Sequence, residues 1–122
     1  MATYLVTGAD RGIGEALCLQ LCGRGENVIA ACFGDSPTLA EKGARIEGGV
    51  DVTSDAAVQA FAQRMVGTHV DVLINVAGIY ADDSLGELDL TNVQRQFDVN
   101  ALGPLRVIHA LLSCLHQGSK VG

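Results

Sequence analysis

The 122-residue sequence predicts an α/β fold, a doubly wound parallel sheet, and three observations carry that expectation. Short apolar runs alternate with segments of helical periodicity along the chain, the pattern of strands joined by crossover helices. The first apolar run ends in a glycine-rich turn that opens directly into a helix. Asn27–Phe33 and Val70–Asn75 are near-continuous apolar stretches, as strands buried on both faces are.

The elements follow in order. Thr3–Thr7 is a buried strand that ends at Gly8. Gly12–Arg24 is a helix whose Ile13, Ala16, Leu17 and Leu21 recur at helical spacing, with Gly23 and Gly25 at its end. Asn27–Phe33 is the second strand, broken by Gly34-Asp35-Ser36-Pro37. A short helix is expected over Thr38–Lys42, and a weaker third strand over Ala44–Val50, damaged by Gly48-Gly49. Thr53 or Ser54 caps a helix reaching about Val66, with Ala57, Val58, Phe61 and Met65 inward. Val70–Asn75 is the fourth strand. A polar loop, Tyr80–Gly86, precedes a long helical region from about Asp89 to His116. Its Ala101–Leu115 half is apolar on nearly every side, so it should be buried on more than one face, against a sheet or against another subunit. Pro104 should bend it or mark a first turn, and Gly118 should end it. Lys120-Val121-Gly122 reads as the start of another strand.

Composition removes several functional classes. Apolar residues make up 48% and charged residues 18%, enough for a folded core. The net charge of −6 and the lack of a Lys/Arg cluster argue against a nucleic-acid surface. The N-terminus has no signal-peptide pattern and no run approaches a membrane span, so a cytoplasmic protein with no membrane partner is expected. Cys18, Cys22, Cys32 and Cys114 contain no Cys-x-x-Cys and read as reduced thiols. Cys18 and Cys22 share a helix face, as core residues or, less simply, as a metal or redox pair. His69, His109 and His116 lack metal-ligand spacing, and no metal site is expected.

The chemistry concentrates at strand ends. The first strand runs into Thr7-Gly8-Ala9-Asp10-Arg11-Gly12-Ile13-Gly14, a Gly-x-x-x-Gly-x-Gly turn at a helix start. In that context one glycine turns the chain, one lets the backbone approach a pyrophosphate and one allows close helix–strand packing. The helix N-terminus adds partial positive charge. Asp51-Val52 follows the third strand, Asn75-Val76-Ala77-Gly78 follows the fourth, and Asn100 lies in Phe97-Asp98-Val99-Asn100. Each has a simpler structural explanation: Asp51 as a helix cap, Asn75 as an Asx turn, Asn100 as a helix-internal hydrogen bond.

Together these segments resemble the short-chain dehydrogenase/reductase family over the whole chain, and the region between the second and third strands is similar to small C-factor-like reductases. The resemblance implies a Rossmann-type domain and NAD(P)-dependent hydride transfer with a carbonyl or alcohol substrate. It makes Thr7, Gly8, Asp10, Arg11, Gly12, Ile13 and Gly14 the cofactor loop. It makes Asp51 and Val52 the adenine contact. Asn75, Ala77 and Gly78 then match the family's Asn-Asn-Ala-Gly segment, with Val76 replacing the second Asn. Asn100 matches the helix Asn that organises the active-site water relay, a catalytic role. Arg11 favours NADP, through charge-assisted bonds to a 2′-phosphate, with NAD as the alternative. Phe33 and Gly34 put the second strand's acid late, at Asp35, which weakens the case for NAD; the basic residue frequent in NADP members is absent.

The family's Tyr-x-x-x-Lys is absent: Tyr4 and Tyr80 are followed four residues later by Gly8 and Ser84. The family's Ser would fall beyond Gly122, since Ser113 and Ser119 come too early. The expectation is therefore a single domain over 1–122, incomplete at its C-terminus after four strands and the long helix, with the fourth strand an open edge. The alternative is a non-catalytic dinucleotide-binding or dimerisation module. The resemblance also implies a homo-oligomer built through the long apolar helix. A nucleotide-sugar epimerase fits Asn75-Val76-Ala77-Gly78 and Asn100 less well.

Overall fold

The computed structural model describes residues 1–122. Strands β1 (Thr3–Thr7), β2 (Asn27–Ala31), β3 (Arg45–Glu47), β4 (Val70–Ile74) and β5 (Leu115–Val121) alternate with helices α1 (Gly12–Gly23), α2 (Pro37–Glu41), α3 (Asp55–Arg64), α4 (Leu90–Phe97) and α5 (Gly103–Ala110). All strand pairs are parallel, in the order β3-β2-β1-β4-β5. The chain runs outward from β1 to β3, crosses back over α3, and continues on the other side of β1 with β4. The strand order therefore reverses between β1 and β4, where a crevice opens beyond the strands' carboxyl ends.

Alternation along the strands divides the core. Leu5, Ile29 and Leu73 face one side and pack with Val58, Phe61, Met65, Val107 and Leu111 of the α3–α5 layer. Val6, Val28 and Ala30 face the other and pack with Cys18, Leu21 and Leu39 of α1 and α2. Phe61 is fully buried; cutting it to Ala would cost about 3–5 kcal/mol in lost transfer and cavity terms. Ser36, Ser54 and Asp89 cap α2, α3 and α4 by accepting backbone N–H bonds.

The largest departure from expectation is the Asp89–His116 helix, which is not continuous. After α4 the chain makes a π-helical turn over Asp98–Leu102, then α5, then a 3-10 turn over Leu112–Cys114. Pro104 has no N–H to donate and its ring would collide with the carbonyl four residues back. Widening the preceding turn avoids both problems, and the Gly103 N–H reaches the Asp98 carbonyl instead. Within the protomer the Ala101–Leu115 stretch is buried on one side: Val107 and Leu111 are inside, whereas Leu105 and Leu112 are exposed.

Gly118 does not end a helix. It lies inside β5 with φ +95°, at an irregularity where Val70 pairs with Leu115 but Val72 with Lys120. β5 starts earlier than Lys120 and covers β4, so the sheet edges are β3 and β5. β2 stops at Ala31 and β3 at Glu47, short of Phe33 and Val50, because Gly34 and Gly48-Gly49 follow. On α1 the inward residues are Gly14, Cys18 and Leu21, while Ile13 is 78% exposed. Cys18 and Cys22 lie in or beside the α1 core face. Burial pushes the Cys18 thiol to about 12 and also raises that of Cys22, which disfavours the thiolate a metal or redox pair requires. No helix is long and apolar enough to cross a membrane.

Candidate dinucleotide site

A cleft of about 710 Å³ lies at the carboxyl ends of the strands, over the β1–β4 switch point. Three chain segments wall it: the Gly8–Gly14 turn, Val50–Thr53 after β3, and Val76–Ile79 after β4. Phe33, Arg95 and Val99 complete the lining.

The three glycines of the turn divide their roles. A Cβ on Gly8 would lie 2.7 Å from the Ala77 Cα, and one on Gly14 would lie 2.1 Å from the Gly8 carbonyl oxygen. Both therefore serve close packing within the protein. Gly12 differs: its φ is +57° and a Cβ there would stand in open space, so it keeps the cleft-facing backbone bare. The N-cap residue of α1, Arg11, gives no side-chain cap, unlike those of α2, α3 and α4. The first N–H groups of α1 are left free of a capping side chain at the cleft, an arrangement that suits a phosphate. The cradle fits a pyrophosphate.

Several expected residues support the walls rather than line them. Thr7 is buried, and its hydroxyl accepts the Val76 and Ala77 N–H groups at 3.1 and 3.2 Å, tying the β4 loop to β1. Asn75 is not in the lining; its Nδ2 donates to the Gly122 carbonyl at 3.1 Å, and its backbone N–H reaches the same oxygen at 2.8 Å. Asn100 is also outside the lining. Its Oδ1 accepts the Ile79 N–H and its Nδ2 donates to the Ile79 carbonyl, both at 2.8 Å. This partner lies across the cleft loop, not within the helix. Asp10 lines the cleft and accepts the Gly34 N–H at 3.1 Å, joining the glycine turn to the end of β2. Asp51 accepts both the backbone N–H and the hydroxyl of Thr53 through Oδ1, closing a turn. Ser54, not Asp51, caps α3. Asp51 also lines the cleft, with Gly8, Arg11, Gly12, Ile13, Gly14, Val52, Ala77 and Gly78.

The sequence pattern does not single out Phe33, Ile79, Arg95 or Val99, yet all four are in the wall. Phe33 stands two residues past the end of β2 and is 71% exposed, a flat apolar surface at the cleft rim. Arg95 lies one helical turn before Val99, which was the available signal. The ion pairs of the fold use Arg45, Arg64, Arg106 and His116. Arg11 and Arg95 take no part in them, so two cations stand at the cleft without a carboxylate partner. Tyr80 donates its hydroxyl to Asp82 at 2.7 Å, which raises its pKa. A tyrosine acting as acid and base near neutrality needs the opposite shift.

A parallel sheet in 3-2-1-4-5 order, with a glycine turn feeding α1 at the switch point, defines the Rossmann class of fold. The short chain dehydrogenase family model matches residues 2–122, and the chain belongs to that family. It is 47% identical over 124 residues to the 1-hydroxy-2-glutathionyl-2-methyl-3-butene dehydrogenase of Rhodococcus sp. (strain AD45), covering all of this chain and 55% of that protein. It is 46% identical over 63 residues to the C-signal protein of Myxococcus xanthus, covering 51% of this chain and 38% of that protein. Among solved structures, a protein of Burkholderia multivorans assigned as a short-chain alcohol dehydrogenase superposes with a TM-score of 0.88 at 28% identity, over 100% of this chain and 61% of that one. A short-chain dehydrogenase/reductase from the same organism, solved with bound NADP, gives 0.85 at 26% identity, over 99% and 57%. The chain thus spans 55% of the Rhodococcus protein and 61% and 57% of the two Burkholderia chains.

Proposed function

We propose that this chain forms the cofactor-binding part of an NADP(H)-dependent oxidoreductase that interconverts an alcohol and a carbonyl. The observation that carries this is the uncapped start of α1 beside the bare Gly12 backbone, in a cleft holding two unpaired arginines. When bound, the nicotinamide group accepts or donates a hydride. The chain's own residues do the rest. The Gly8–Gly14 turn holds the pyrophosphate, and Asp51 and Val52 flank the adenine. Arg11 meets the 2′-phosphate. Thr7 and Asn100 fix the β4 loop from opposite sides, so that Ala77 and Gly78 present a flat backbone surface to the cofactor.

The Rhodococcus relative's name points to a primary alcohol with a glutathionyl group on the adjacent carbon as the substrate class. A second copy of the chain, packed on the exposed apolar side of α4 and α5, completes the reading.

Fluorescence titration with NADPH and NADH tests it. Saturable binding with an NADPH preference is expected, and Arg11→Ala should lower that preference by about tenfold while leaving NADH affinity unchanged. A folded chain that binds neither dinucleotide would overturn the proposal.

A further inference from the structure

Arg106 is on α5, outside the cleft, yet its guanidinium is committed to the cleft's supporting backbone. Nη1 donates to the Val52 carbonyl at 3.0 Å and to the Asp98 carbonyl at 3.3 Å. Nη2 pairs with Asp98 Oδ1 at 2.6 Å, and Nε reaches Asp55 Oδ1 at 3.1 Å. One planar cation therefore joins the turn after β3, the π-helical turn and the start of α3.

These contacts differ in weight. Asp55 is 88% exposed, and a solvated ion pair of that kind contributes little. The two carbonyls belong to segments that line the cleft: Val52 directly, and Asp98 through its neighbour Val99. The Asp98 carbonyl is also the acceptor of the wide-turn bond from the Gly103 N–H, so Arg106 braces the turn where its regular ladder is interrupted. Gly103 adds an independent constraint. A Cβ there would lie 2.8 Å from Val52 Cγ2, so α5 can approach Val52 closely only because that side chain is missing.

We infer that Arg106 is a positioning residue that holds Val50–Thr53 against Val99 and thereby sets the affinity for the adenosine end of the dinucleotide. This rests on the cofactor reading given above. Lysine cannot replace it fully, because a single ammonium lacks the planar fork that reaches Val52 and Asp98 together.

The test compares NADPH, 2′,5′-ADP as the adenosine-end fragment and reduced nicotinamide mononucleotide as the other end, by fluorescence and competition. Arg106→Ala should weaken NADPH and 2′,5′-ADP by the same factor, about tenfold, and leave the mononucleotide unchanged. Arg106→Lys should recover part of the loss. Asp55→Asn should stay within about twofold of the parent for all three. A merely structural tie would change the thermal midpoint without separating the two fragments. Folded Arg106→Ala that binds 2′,5′-ADP like the parent, or loses both fragments equally, overturns the inference and leaves the cofactor reading standing. Should the alanine variant not fold, the lysine variant decides by the same criteria. A parent chain that binds neither NADPH nor 2′,5′-ADP overturns the reading and the inference with it.

Discussion

Asn100 gives both ends of its amide to one residue: its Nδ2 donates to the Ile79 carbonyl and its Oδ1 accepts the Ile79 N–H, each at 2.8 Å. A side chain from the π-helical turn thereby substitutes for a strand neighbour beside a loop that has left the sheet. Gly78 leaves room for this, since a Cβ there would approach Asn100 Oδ1 to 3.1 Å and push the amide by a few tenths of an ångström. Replacing Asn100 by Ala should cost about 1–3 kcal/mol, seen as a lower urea midpoint at unchanged slope. Asn100→Asp should do no better, because it keeps the acceptor but turns a carboxylate oxygen toward the Ile79 carbonyl. An unshifted midpoint in both variants would show that the loop holds itself.

The division of labour among the turn glycines separates stability from binding. Gly14→Ala forces a methyl to 2.1 Å from the Gly8 carbonyl oxygen, a clash between backbone-anchored groups that no rotamer relieves. A loss of about 1–3 kcal/mol or more is expected. Gly12→Ala meets no atom, and its cost is confined to the φ of +57°, about 1–2 kcal/mol. The alanine variant at 12 should therefore remain folded while its NADPH affinity falls by about tenfold or more, because the methyl occupies the bare backbone surface. Calorimetry on both variants, with NADPH titration of the folded one, checks the contrast. Equal effects of the two substitutions on stability and binding would refute it.

How far the sequence anticipated this arrangement depends on the range of the interaction. β1 runs over Thr3–Thr7 as its apolar run and closing glycine indicate, and α3 starts after Ser54, one of the two caps its pattern offers, because both signals are local. The cleft-lining glycines were legible for the same reason. Asn75 and Asn100 were legible only as polar residues in telling places. Their partners, Gly122 and Ile79, lie 47 and 21 residues away, beyond any periodic pattern. The helix break at Asp98–Leu102 had its cause in view, since Pro104 is in the sequence, but periodicity alone does not say whether proline bends a helix or is relieved by a wide turn. Phe33 and Arg95 joined the wall through β2 ending early and α4 bringing Arg95 to the cleft, which are tertiary facts.

At the opposite end of the sheet, the stability should carry a pH signature from Asp71 and His116. Asp71 Oδ2 accepts the Thr3 N–H at 2.8 Å, and its Oδ1 lies 2.8 Å from His116 Nε2. The His116 Nδ1 lies 2.9 Å from the Gln117 carbonyl. That carbonyl, and then Asp71, raise the His116 pKa above its ordinary 6.5. The Thr3 N–H, and then His116, lower the Asp71 pKa below its ordinary 3.8, with His69 adding a smaller share. The raised histidine contributes stability in full below 6.5 and loses it as pH rises through its folded value. The lowered carboxylate contributes above 3.8 and loses it as pH falls through its folded value. The pair is therefore worth most between those two ordinary values. Urea midpoints followed from pH 6 to 9 should fall more steeply in the parent than in His116→Gln. Parallel pH profiles would show that the pair contributes nothing measurable, the common result for exposed ion pairs.

The exposed side of α4 and α5 makes the last prediction. α4 buries no residue, although Leu90, Val93 and Phe97 lie at helical spacing on one face. Beyond the π-helical turn, Leu105 and Leu112 are exposed as well. An amphipathic helix normally turns its apolar stripe toward a core, and here the sheet is already covered by α3 and α5. An exposed apolar stripe of this kind is usually closed by another protein surface, and a two-fold pairing would let the stripe cover itself in a second copy. Light scattering after size exclusion should therefore report a defined oligomer. Phe97→Glu, which places a charge on a residue now 59% exposed, should shift it to monomer with little change in the urea midpoint, since that ring lies outside both core clusters. Leu105→Glu should act in the same direction. A monomeric parent at high protein concentration would overturn the self-pairing, and an oligomer indifferent to both charges would move the interface to another face.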